Sequence, residues 1–165
     1  MTVMKQQVDS ITGFSKSTFL NSLAAGSARP LGLVDMSAND YPNAKIHLSV
    51  NVSTAMVVAG AIEVFFISSL NNTIWTDQIN PSSSASASTK LNTAQLITTI
   101  KADQSKNIAS KVAAHRLNWV CNDFARLVGD LPPYWTLVVK NLSGSALAAS
   151  GTTAAYQKVS YQGTT

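Results

Sequence analysis

Ile46-His47-Leu48-Ser49-Val50-Asn51-Val52 alternates apolar and polar side chains without a break. Such a period of two is what a strand with one buried and one wet face requires, because successive side chains leave a pleated backbone on opposite sides. Working outward, residues 61–67 (Ala-Ile-Glu-Val-Phe-Phe-Ile) are rich in β-branched and aromatic side chains, and residues 73–79 (Thr-Ile-Trp-Thr-Asp-Gln-Ile) follow the turn-prone pair Asn71-Asn72. Both stretches predict strands. Residues 95–100, 116–120, 137–139 and 156–161 read the same way.

The intervening segments carry punctuation. Residues 80–90 hold a Ser/Ala run with neither periodicity nor bulk and predict an exposed loop. Leu117, Val120, Cys121, Phe124, Leu127 and Val128 fit helical as well as extended spacing. The segment is divided into a strand to Val120 and a short helix capped by Asp123 and stopped by Gly129. A second short helix is expected over residues 18–25, between Ser17 as cap and Gly26 as stop. Pro132 and Pro133 form a rigid corner leading into residues 137–139, and Asn141 to Gly144 supply the turn that ends that strand.

Many short strands joined by turn-rich loops predict an all-β antiparallel sandwich of the jelly-roll type, with one or two short helices. At 165 residues the chain has room for a single core. Residues 1–28 are expected as an N-terminal arm with a short helix, and residues 29–165 as the sandwich.

Composition narrows the function. Charged residues are only 12% of the chain, so the exterior is neutral and polar, which suits a surface covered by neighbours. The net charge of +4 comes from basic residues scattered singly, without the convergence on phosphates that nucleic-acid binding needs. Cys121 is the lone cysteine, so no intrachain disulfide forms. The first residues lack the apolar run of a secretory signal, and the most hydrophobic stretch, residues 55–70, is short and interrupted by Glu63, so no membrane span is expected.

Chemistry is thinly represented. His47 and His115 are the only histidines, and His115 with Cys121 is the one imaginable dyad, set against a buried structural thiol. Glu63 is the only glutamate and the aspartates are dispersed, so no carboxylate pair is held together locally. Metal-ligand and phosphate-cradle spacings are absent, and no catalytic residue, cofactor or metal is expected. Trp75, Trp119 and Trp135, with Tyr134, Tyr156 and Tyr161, form either core packing or a sugar-stacking or interface platform. Core packing fits their strand patterns better, least clearly for Trp135.

Two blocks carry a family resemblance. Gly129-Asp130-Leu131-Pro132-Pro133-Tyr134-Trp135-Thr136-Leu137-Val138-Val139-Lys140-Asn141-Leu142, continuing through Gly144 to Leu147 and later Tyr156 to Tyr161, resembles a pattern of tailed-bacteriophage virion structural proteins. Residues 17–26 resemble the opening segment of the same group. The resemblance implies a non-enzymatic jelly-roll subunit, often trimeric: a capsid decoration or cement protein made in the host cytoplasm and placed on the capsid exterior. Its implied partners are the major capsid protein and copies of itself. The expected contact residues are the spaced apolar side chains Val3, Met4, Val8, Ile11 and Phe14 of the arm, with Trp135. The alternatives are a carbohydrate-binding or host-adhesion module, which exposed Trp75 or Trp135 beside polar groups would favour, and a tail or fibre structural subunit.

Overall fold

The computed structural model describes residues 3–38, 41–52, 60–82, 91–101 and 115–164, with Val3, Met4, His115 and residues 162–164 described by their backbone only. Ten strands run in the order β1 (Val3–Val8), β2 (Thr12–Gly13), β3 (Ala28–Pro30), β4 (Val34–Asp35), β5 (Asn43–Val52), β6 (Ala61–Ser69), β7 (Gln95–Lys101), β8 (His115–Cys121), β9 (Tyr134–Leu142) and β10 (Thr153–Thr164). Among the described residues these ten strands are accompanied by one short helix, α1 (Phe124–Val128), and two 3-10 turns, Ser17–Leu20 and Thr76–Gln78.

The strands form two antiparallel sheets. Sheet A has the order β1-β10-β5-β8, with β2 also on β10; sheet B has the order β3-β9-β6-β7, with β4 also on β9. β1 and β2 follow one another along the same edge of β10, and β3 and β4 do so along β9. Taking each such pair as one interrupted strand, the pairing is nested: first with last, second with second-last, then β5 with β8 and β6 with β7. A long hairpin wound upon itself in this way is the jelly roll the sequence pattern predicts.

The main core lies between the sheets, and the alternation of β5 shows why. Ala44, Ile46, Leu48, Val50 and Val52 are all buried in it, while His47 faces out. Trp135 of β9 sits at the centre, fully buried. Its ring stands 5.2 Å from Phe124 of α1, 6.1 Å from Phe14, 6.2 Å from Phe66 of β6 and 6.0 Å from Tyr156 of β10. Its indole N–H donates to the Met36 Sδ at 3.1 Å, which gives the buried polar atom a partner.

β6 and β9 do not alternate, because both of their faces are covered. Ile62, Val64 and Phe66 face the main core, whereas Phe65, Ile67 and Val138 belong to a second cluster on the outer side of sheet B. That cluster is roofed by Trp75 and Ile79. Residues 73–79 are therefore not the strand their composition predicts: they turn back as a flap, with the 3-10 turn at Thr76–Gln78. The adjoining loop expected over residues 80–90 falls mostly outside the described residues.

Local signals decide the helices. Asp123 caps α1, its side chain accepting from the Arg126 N–H, and Gly129 ends it at φ +84°. Asn43 ties the same turn to β5, its Oδ1 accepting from the Ala125 N–H at 2.9 Å and its Nδ2 donating to Asp123 Oδ1 at 2.8 Å. The helix expected over residues 18–25 shrinks to the 3-10 turn Ser17–Leu20, which starts after Lys16 and has no side-chain cap, Ser17 lying inside it. Its would-be helical groups are taken by other partners: the Ser22 N–H donates to Ala148 O, and Leu23 O accepts from the Leu147 N–H and from Asn141 Nδ2. Asn141 is fully buried, and its Oδ1 also accepts from the Ser143 N–H, so one amide holds two loops to the end of β9.

Removing the Trp135 ring takes away contacts from both sheets and from α1. Trp135→Ala is expected to lower stability by about 3–5 kcal/mol, read as a shift in the urea unfolding midpoint at unchanged slope. A loss below about 1 kcal/mol contradicts a central role for this ring.

Candidate functional site

The residues with reactive side chains are held apart or used structurally. His115 and Cys121 stand at opposite ends of β8. Six extended steps separate them by about 20 Å, so the imagined dyad does not assemble. Cys121 is buried beside Ile46, and burial pushes its thiol up, out of the reactive range. Glu63 pairs across β6 and β9 with Lys140 at 3.9 Å. The Asp35 carboxyl is held below its ordinary range, chiefly by the Ser37 hydroxyl and then by the Ser37 N–H. Among the described residues no three His, Cys, Asp or Glu side chains converge as a metal site, and no helix is long and apolar enough to cross a membrane.

The expected contact residues divide. Phe14 and Trp135 are core residues, paired edge to face, and offer no surface to a partner. Their apolar neighbours in sequence gave no sign of which side they would face. Val8 and Ile11 are exposed, Ile11 at 72%. Val3 and Met4 lie on β1, which is no separate arm: it forms the edge of sheet A, so the first residues join the sandwich. Trp75 is part of the flap and is buried against the second cluster, so neither it nor Trp135 is the exposed sugar-stacking ring considered from the sequence; Trp119 and Tyr156 pack partly against the main core, and Tyr161 is exposed.

Two surfaces stand out. The first is a two-stranded ribbon. β10 pairs with β5 only from Thr153 to Val159, yet it continues to Thr164 beside β1. Over its last five residues, about 17 Å of strand, the ribbon has no third strand among the described residues. Lys5, Gln6, Gln7, Val8 and Tyr161 along it are all exposed. A two-stranded ribbon alone in water is marginal, and its edges present unpaired N–H and C=O groups. At its base, on the outer face of sheet A, exposed Ile11 and Val120 flank a shallow groove of about 100 Å³ with His47 and Ala155.

The second surface is the flap that joins β6 to β7. A connection this long in a small domain is usually functional. It carries three non-glycine residues in the left-handed region, Asn72, Asp77 and Gln78. Asn71 Oδ1 accepts from the Thr73 and Ile74 N–H groups, and Thr76 Oγ1 bridges the Ser68 N–H and C=O. The Asp77 carboxylate fastens the far end by accepting from the Thr93 hydroxyl and from the Thr93 and Ala94 N–H groups. Between the flap and Leu33 opens a cleft of about 550 Å³, walled by Ile74 and Trp75. Of this flap the sequence signalled only the turn at Asn71-Asn72; Asp77 was read as part of a strand.

For Asp77, burial raises the carboxyl but the hydrogen bonds from Thr93, Ala94 and Asn92 outweigh it, and its pKa is lowered. A carboxyl with a folded value below its unfolded one stabilises the fold fully above the unfolded value, near about 3.9, and loses that contribution as pH falls through the folded value. The flap amides of Thr93 and Ala94 are therefore expected to lose hydrogen-exchange protection below about pH 4, ahead of the β5 amides. In Asp77→Asn this acid step disappears; its persistence would assign it to another group. Comparison of the chain with protein-family models, with curated proteins and with solved structures finds no match in any of the three.

Proposed function

We propose that the chain is a non-enzymatic structural subunit of a virion, a capsid decoration protein that self-associates and binds the major capsid protein. The observation that carries this reading is the β1–β10 ribbon, which leaves the sheet with open backbone edges and exposed side chains. Such a ribbon gains its missing third strand or covering surface from another protein molecule. The low charge of the chain, 12%, supports the same reading, because few ionic groups have to be desolvated when neighbours cover the surface. Exposed Ile11 and Val120 beside the ribbon's base add apolar area on the same sheet.

Decoration of a shell asks for a rigid body that keeps its shape when it docks. The nested pairing of the jelly roll, with the core between its two sheets, supplies that body. The capsid exterior and a homotrimer, with an interface above about 1,000 Å², are what the resemblance of residues 129–147 to phage virion proteins implies.

The test separates the ribbon from the core. A truncation must stop at Val8, because Phe14 belongs to the core. The chain lacking residues 1–8 is expected to keep its far-ultraviolet spectrum and urea midpoint while sedimenting as a monomer. It is also expected to leave capsid shells undecorated when added to them in vitro. A full-length chain that is monomeric at micromolar concentration and does not bind shells overturns the reading.

A further inference from the structure

We infer that the cleft between the flap and the β3–β4 bend is a binding site for a neutral saccharide. It lies on the outer side of sheet B, where Trp75 and Ile79 roof the second apolar cluster, away from the β1–β10 ribbon of sheet A. At about 550 Å³ it falls within the range of small-ligand sites.

Its lining sets the ligand class. The polar side chains are Asn72, Thr73, Gln78, Asn80 and Ser82, and none of the lining residues is charged. A site for phosphate, carboxylate or an amine would carry a compensating charge, since an ion loses most of its hydration on entering a cleft. Amides and hydroxyls instead both donate and accept, which matches a sugar hydroxyl that does the same. Exposed Ile74 and partly exposed Leu33 supply the accessible apolar wall beside these groups, backed by buried Trp75 and Pro81, against which the C–H face of a pyranose ring can rest. Asn72 and Gln78 make no side-chain hydrogen bond among the described residues, so their amides are available to a ligand.

The site is also pre-shaped. Asn72 and Gln78 have φ of +58° and +55°, and Asp77 clamps the chain between them to Thr93 and Ala94. A flap already fixed in place loses little conformational freedom when a ligand arrives, which favours the weak, multi-contact binding typical of sugars. The tight hydrogen bonding of the flap has no need of a ligand to form.

The test uses the full chain on an array of immobilised neutral oligosaccharides built from glucose, galactose and N-acetylglucosamine, with sialylated and sulfated glycans beside them. Saturable binding to at least one neutral glycan is expected, and the anionic glycans are expected to show none beyond that of their neutral cores. Gln78→Gly keeps a residue that tolerates the left-handed backbone while removing the amide, and Thr73→Val removes a hydroxyl at constant shape. Each is expected to weaken binding at least tenfold, and Lys45→Ala on sheet A to leave it unchanged. Should Trp75→Ala disturb the flap, these two surface variants still decide the matter. No saturable binding to any neutral glycan, or binding that both variants retain, overturns the inference, as does a preference for the anionic glycans that Lys45→Ala abolishes.

Discussion

Trp135 is where the fold is tied together. One indole touches rings from the N-terminal stretch, from β6, from α1 and from β10, so both sheets and the only α-helix among the described residues meet on a single side chain. A sandwich has no covalent link between its layers, and their separation is set by whichever large side chains fill the gap. Here that filler carries a polar atom, and the Met36 sulfur beside it satisfies the indole N–H without admitting water. The rest of the architecture follows from filling this gap: α1 closes one end with Phe124, and Phe14, just after β2, comes in from the edge.

Legibility tracked the range of the physics involved. β5 was plain from its alternation, since one wet face and one dry face leave a strict imprint on seven residues. α1 lay in a segment whose apolar spacing fitted helix and strand alike, and it was legible only through its cap and left-handed stop, which are made within one turn. Residues 73–79 misled because Ile74, Trp75 and Ile79 are good strand formers used as a roof, and the need for a roof comes from Phe65 and Ile67 on a different strand. Phe14 and Trp135 looked like surface anchors for a similar reason: nothing nearby in sequence reveals the rings they meet. The nested strand order was foreseen only as a class, for it depends on pairings between the two ends of the chain.

The two candidate surfaces are independent in construction. The ribbon is backbone left over after sheet A has finished, whereas the cleft is made of side chains on a flap that sheet B requires for its own burial. A partner seated on the first leaves the second open. In the proposed reading one side holds to an assembly while the other, whose cleft lining carries no charge, faces solvent.

The interruptions along the outer edges have one more effect. Between β1 and β2, and again between β3 and β4, the pairing register slips by one residue, and at the second break Gly32 stands at φ +103° where a side chain would strike Ser15. A straight, unbroken margin invites copy after copy to zip on without limit, the route to fibrils. Among the described residues β1 and β3 offer runs of six and three residues before the register changes. Such short runs give a foreign strand little length to pair with before the backbone turns away.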